Sequence, residues 1–218
     1  MLKLKVLVGS TRDGRAADRV VPWVTNSAES WDTFSVEVLD LREWKLPMFA
    51  ETVHTVGDFQ DPNYSQPLIR RWNDTIRDAD ALVIVTPEYN HSIPAVLKNA
   101  IDSVFLSFAL RNKPAGLVGY SAGPVGGARS VEHLAHVLIE AEAVPLRNSV
   151  LIPNVNTAFT ETGEPVNAVS DVALRVLLED LEWWGRVLAE ARPSSLLPGV
   201  LRMNARQQEQ SQRGRAAS

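Results

Sequence analysis

Ala81-Leu-Val-Ile-Val85, continuing into Thr86-Pro-Glu-Tyr-Asn-His-Ser-Ile-Pro94 and Ala95-Val-Leu-Lys-Asn-Ala-Ile-Asp102, decides the fold. The first five residues are apolar and mostly branched, as in a strand buried on both faces. Pro87 and Pro94 then bracket a short polar stretch, which makes a stiff loop. From Pro94 to about Phe108, Val96, Ala100, Ile101, Val104, Phe105 and Phe108 recur at helical spacing. Strand, rigid loop and helix in that order form one βα unit.

The same unit recurs on both sides. Upstream, Leu4 to Val8 reads as a strand ending at Gly9, and about Gly14 to Ala28 as a helix. Ala17, Val20, Val21 and Val24 form that helix's stripe, and Pro22 interrupts it. Phe34 to Leu39 alternates as a second strand. The segment from Arg42 to Gln66 is irregular, and Pro67 to Asp78 is helical, with Leu68, Ile69, Trp72 and Ile76 inward. Downstream, Ala115 to Gly119 is a strand, about Gly127 to Ala141 a helix, and Leu146 to Leu151 a fifth strand. About Asp171 to Ala189 forms the last helix, with Leu174, Leu177, Leu178, Leu181, Trp184 and Leu188 facing inward. Strict β-α alternation predicts an α/β protein with a parallel sheet covered on both faces. Residues 1–192 form one domain on this reading, and residues 193–218 a flexible tail.

Composition narrows the chemistry. The chain has 218 residues, 45% hydrophobic and 22% charged, with a net charge of -4, and so lacks the basic excess of a nucleic-acid binder. Arg202, Arg206, Arg213 and Arg215 gather near the C-terminus, but interspersed Glu209 and glutamines read as a solvated stretch. With no cysteine there is no disulfide, thiolate metal site or Cys nucleophile. His133 and His136 lack a third ligand, which predicts no metal site. No apolar run reaches the ~20 residues of a membrane span, so the expectation is a cytoplasmic protein.

Ligands of open α/β sheets bind at the carboxyl ends of the strands. Three loops there are unusual. Gly9-Ser-Thr-Arg-Asp-Gly-Arg15 leads into a helix N-terminus, where backbone N–H groups and the helix dipole favour an anion. Ser10 and Thr11 add hydroxyls, and Arg12 and Arg15 add cationic forks. Arg15-Ala16 stands where a P-loop requires Lys-Ser/Thr, which excludes a nucleoside triphosphatase. The Thr86–Pro94 loop offers fixed backbone groups and Tyr89 to a flat ring. Gly119-Tyr-Ser-Ala-Gly-Pro-Val-Gly-Gly127 lets a ligand approach the backbone, but it is not the dinucleotide fingerprint. Ser121 lies in no G-x-S-x-G elbow.

The run from Thr86 to Asp102 closely resembles the signature of the NADPH-dependent FMN reductase family, within the flavodoxin-like superfamily that also holds azoreductase, quinone reductase and chromate reductase relatives. The Gly9–Arg15 and Gly119–Gly127 loops resemble that family's phosphate loop and third flavin loop. The resemblance covers about Lys3 to Trp184. It implies a three-layer flavodoxin-like fold with a five-stranded sheet of order 2-1-3-4-5. It implies that Ser10, Arg12 and Arg15 hold the FMN phosphate, that Pro87, Glu88, Tyr89 and Asn90 line the ribityl chain and ring edge, and that Ser121 and Gly123, with Gly126 nearby, flank the ring. NADPH or NADH would pass hydride to flavin N5, and a small-molecule acceptor would then take the electrons at the same face. A homodimer or homotetramer is implied as well. The chain departs from the pattern at Ala16 and Ala17, where many members carry serine or asparagine, and at Ala95, where glycine is common. The rival readings are a flavodoxin-like electron carrier without NAD(P)H oxidation and a regulatory flavoprotein. The modest acidity favours the enzyme.

Overall fold

The computed structural model describes residues 1–216, with side chains as far as residue 213. Residues 217 and 218 of the expected tail, and the Arg215 side chain, lie outside the described residues. In chain order the elements are β1 (Leu2–Val8), α1 (Ala17–Glu29), β2 (Phe34–Asp40), α2 (Leu41–Trp44), α3 (Val53–Val56), α4 (Pro67–Arg77), β3 (Ala81–Pro87), α5 (Ala95–Phe105), β4 (Pro114–Tyr120), α6 (Ala128–Glu140), β5 (Val144–Pro145), β6 (Val150–Ile152), α7 (Ala168–Ala191) and α8 (Gly199–Ala216).

The strands pair in parallel in the order β2-β1-β3-β4-β5, with β6 also pairing β4. Every residue of β3 and β4 is buried, as the continuous apolar runs require of strands covered on both faces. One face packs on α1 and α7, through residues such as Val20, Val24, Leu177 and Leu181. The other packs on α4, α5 and α6, through Trp72, Leu97, Ile101 and Leu134. This is the three-layer arrangement expected from the β-α alternation.

Four details differ from the sequence reading. The fifth strand is broken into β5 and β6, both on β4. Pro145 has no N–H for a ladder, and Asn148 turns aside to donate to Asp180 at 2.7 Å. Residues 42–66, read as irregular, contain most of α2 and all of α3, the latter closed by a Thr52–Thr55 capping box. Trp184 does not face inward: it is 36% exposed, and Trp183 59%. The inward stripe of α7 runs instead through Leu181 and Gly185, where a Cβ would meet a Leu2 methyl at 2.8 Å. Likewise Val96 of α5 is exposed, its core place taken by Leu97, and α5 ends at Phe105 before it reaches Phe108.

The segment expected as a tail carries α8, and its approach is tied down. Arg192 pairs with Asp80 at 3.1 Å, and Gly199 N donates to Glu142 Oε1 at 3.1 Å. Asp80 and Glu142 precede β3 and β5, so α8 starts at the amino-terminal edge of the sheet. Among the described residues no helix is long and apolar enough to cross a membrane.

At the opposite, carboxyl edge, Asp40 ends β2 and performs two tasks. It accepts from Arg42 N at 2.9 Å to cap α2, and it takes a bidentate ion pair from Arg15, with the Nη1–Oδ1 distance 2.7 Å. Desolvation pushes the Asp40 carboxyl up, but the Arg15 and Arg42 bonds together outweigh it and hold the group below its usual range. Gly127, at the turn into α6, has φ +87°, and a Cβ there would lie 2.5 Å from Tyr120 N.

Gly127→Ala should therefore cost about 2 kcal/mol or more in denaturant melts, because left-handed strain adds to a clash with backbone that cannot yield. Gly123→Ala, where a Cβ would meet nothing within 4 Å, should leave stability near wild type. The Asp40 contribution is complete above the unfolded carboxylate value of about 3.9 and disappears as pH falls through the lower folded value. The stability gap between wild type and Asp40→Asn, measured by urea melts from pH 7 to pH 2.5, should narrow on acidification.

Candidate active site

β1, β3 and β4 are neighbours in a parallel sheet, so the three loops singled out in the sequence leave from one edge. The change of strand order at β1 and β3 opens the crevice in which such sheets bind ligands. Side-chain bonds join the loops. Ser10 Oγ and Tyr89 Oη lie 2.7 Å apart, linking the first to the second. Glu88 pairs with Arg129 Nη2 and accepts from Arg129 N at 3.3 Å, linking the second to the first turn of α6. Glu88 N donates to Tyr120 O at 3.0 Å.

In the first loop, the backbone amides of residues 10–17 find no acceptor among the described residues. Eight successive positions without a partner, running into the N-terminus of α1, form a site for an acceptor-rich anion. Arg12 adds charge. Its guanidinium lies 3.6 Å from the centroid of the Tyr89 ring, it is exposed, and it makes no ion pair among the described residues. Arg15 is placed differently from the sequence expectation. Its Nε donates to Asp18 at 2.7 Å, and its Nη atoms donate to Asp40 and to the Ser10 carbonyl. With its fork committed to carboxylates it is a clamp on the loop. The Asp40 bond raises its pKa further, so it stays charged throughout.

The second loop is a tight turn. Tyr89 and Ser92 exchange backbone bonds of 2.9 and 3.0 Å, while Asn90 and His91 both have positive φ, 50° and 66°. This is the two-residue primed turn of a hairpin, with strain carried by His91. Its underside is braced by Arg129 Nη1 on His91 Nε2 at 2.7 Å and by His133 Nδ1 on Ser92 Oγ at 3.0 Å. The amides of Asn90 and His91 have no partner among the described residues. Pro87 is buried at the end of β3 and the Glu88 side chain is covered by Arg129, so the half-buried Tyr89 and the exposed Asn90 begin the accessible part of the loop.

In the third loop the glycines have separate uses. Gly126 and Gly127 have positive φ and pack on backbone, Gly126 on Ile152 and Pro153 and Gly127 on Tyr120. Gly123 alone has open space above it. Ser121 Oγ donates to Gly123 O at 3.0 Å, which closes the turn and leaves the Ser121 oxygen as an acceptor only. Gly126 and Ser121 are thus parts of the loop's frame.

Two residues escaped the sequence reading. Arg42 reaches from α2 to donate to the Arg12 carbonyl, and its Nε is buried without a partner. Together with Thr11 and Lys45 it lines a cleft of about 310 Å³ beside the first loop. Tyr120, at the end of β4, is 4% exposed, and its hydroxyl has no partner. No sequence signal marks either one, because each reaches the site only through sheet pairing. Free amides, an uncommitted arginine and an orphaned buried hydroxyl fit the phosphate-bearing end of a flavin mononucleotide.

Comparison with known proteins agrees with this arrangement. The NADPH-dependent FMN reductase family matches residues 2–157. An NAD(P)H-dependent FMN reductase of Pseudomonas aeruginosa is 34% identical over 157 residues, which span 71% of this chain and 80% of the relative. A quinone reductase of Escherichia coli K12 is 32% identical over 170 residues, 76% of this chain and 86% of that one. Among solved structures, the flavoenzyme NAD(P)H:acceptor oxidoreductase FerB of Paracoccus denitrificans superposes with a TM-score of 0.68, covering 85% of this chain and 98% of its own at 22% identity, which speaks for the fold. With a matched segment that spans β1, β3 and β4 and all three site loops, this chain belongs to the NADPH-dependent FMN reductase family.

Proposed function

We propose that the protein is an FMN-dependent NAD(P)H oxidoreductase that passes reducing equivalents to a small-molecule acceptor. The observation that carries this reading is the run of unpartnered amides at 10–17, with Arg12 beside it, at the crevice between β1 and β3. FMN, when bound, would supply two-electron redox chemistry between a nicotinamide hydride donor and an acceptor that takes up two electrons and the accompanying protons.

The chain's own residues hold and orient that cofactor. The first-loop amides, Ser10 and Arg12 bind the phosphate, with Arg15 fixing the loop from behind. Tyr89 and the free amides of Asn90 and His91 would line the ribityl chain and the ring edge, where fixed N–H dipoles would stabilise negative charge on the ring without reorganisation. Glu88 sets that turn: buried beneath Arg129, it is the anion at the N-terminus of α6 and holds the loop against β4. Gly123 leaves room for the ring to approach the third loop. No side-chain nucleophile is called for. The 32% identity to a quinone reductase and the shared family support a quinone-type acceptor over a protein one.

Purified protein given FMN should retain the flavin on gel filtration, and anaerobic NADPH or NADH should bleach its visible band within seconds. Retained flavin that neither nicotinamide reduces would point to an electron carrier, and absence of flavin binding would overturn the assignment. Arg12→Ala should weaken FMN binding about tenfold or more, the scale of a lost charge-assisted bond, with riboflavin affinity and thermal stability unchanged. Flavin fluorescence titration reads the first effect and a thermal melt the second.

A further inference from the structure

Tyr120 is the last residue of β4, and its ring belongs to the core on the α1 and α7 side of the sheet. The phenol has one polar atom, and that atom is buried with no hydrogen bond of acceptable geometry, although the Ser10 hydroxyl, already bonded to Tyr89, is a neighbour. Among the described residues the other side-chain atoms in this state are Nε of Arg42 and Arg129, whose guanidinium groups are held through Arg42 Nη2 and through both Nη atoms of Arg129. Tyr120 has no such compensation. A buried hydroxyl left unpaired is destabilising, so its retention calls for a physical reason.

Its surroundings supply one. The polar side chains that act on the phenol are Tyr89, Ser10 and Arg15 of the first and second site loops and Asp18 of the first turn of α1. Burial, and then the neighbouring Tyr89, push its pKa well above the ordinary tyrosine range, so it remains a protonated donor. Ser10, Tyr89 and Tyr120 carry one hydroxyl proton each. The Ser10–Tyr89 bond uses one of the three, and two are left to donate. Beside them stand the unpartnered amides of residues 10–17 and the unpaired charge of Arg12. The cluster holds a surplus of donors and a positive charge, the complement of a group made only of acceptors, such as a phosphate monoester.

We propose that the Tyr120 hydroxyl is a further FMN-binding donor, directed at the phosphate end of the cofactor from beneath the first loop. This rests on the FMN reading above and extends it to a residue on β4. The cost of the orphaned hydroxyl in the apoprotein is recovered when the cofactor binds. Cofactor affinity and apoprotein stability are therefore set against each other at this one atom.

Tyr120→Phe deletes that oxygen and keeps the ring. Apoprotein should be titrated with FMN and, separately, with riboflavin, following flavin fluorescence, and melted without ligand. The expected result is an FMN Kd about ten- to a hundredfold weaker, an unchanged riboflavin Kd, and an apoprotein Tm equal to or above wild type. Inorganic phosphate alone should raise the Tm of wild type and raise that of Tyr120→Phe less. An unchanged FMN Kd overturns the inference. Equal weakening of FMN and riboflavin overturns it too, placing the effect on the ring or ribityl chain, and a lowered apoprotein Tm reduces Tyr120 to packing. Wild-type apoprotein that binds neither flavin would instead remove the FMN reading itself, so the two failures are told apart.

Discussion

Arg15 bonded to Asp40, Asp18 and the Ser10 carbonyl is the interaction on which the carboxyl edge of the sheet depends. A loop that leaves a run of amides unbonded has little of its own to keep it in shape, since those amides are what ordinarily hold a turn together. The register of β1 on β2 sets Val8 opposite Asp40, so the last carboxylate of one strand stands beside the loop that leaves the other. A bidentate pair in a partly desolvated position is geometrically exacting as well as strong. The loop is thereby fixed from outside, and its amides stay available. A salt bridge that engages the Arg15 fork leaves Arg12 as the arginine of this loop with no ion pair among the described residues.

The second loop uses the same logic with different groups. Its turn carries two residues at positive φ, and the strain is borne by bracing from α6, where Arg129 holds Glu88 and His91 and His133 bonds Ser92. Each loop is thus stiffened by residues on the neighbouring βα unit. The neighbours are adjacent because of strand order, so topology and site geometry are one constraint.

This accounts for what was legible in the sequence. Ala81–Val85 and the stripe after Pro94 identify a βα unit because hydrophobic period is a local property, and the alternation of such units gives the sheet. The reading slipped where tertiary contact overrides local pattern. Pro145 and the pull of Asp180 on Asn148 divide a strand that looks continuous, and Gly185 against Leu2 rolls α7 so that Trp184 emerges. The three loops were likewise legible from glycine, proline and hydroxyl content. What each side chain does inside them was less so. Arg12 and Arg15 look alike in sequence, and only the carboxylate at the end of β2 separates a clamp from a free cation. Arg42 and Tyr120 carry no local mark, since their importance comes from strands that lie far apart in the chain.

The tie between residues 192–199 and the starts of β3 and β5 has a practical meaning. The chain enters its last helix from the edge of the sheet farthest from the three loops. A surface that grips residues 192–199 therefore attaches behind the sheet while the crevice faces the surrounding solution. For an oxidoreductase that is the useful polarity of immobilisation: substrates reach the catalytic edge freely, and the support meets only scaffold.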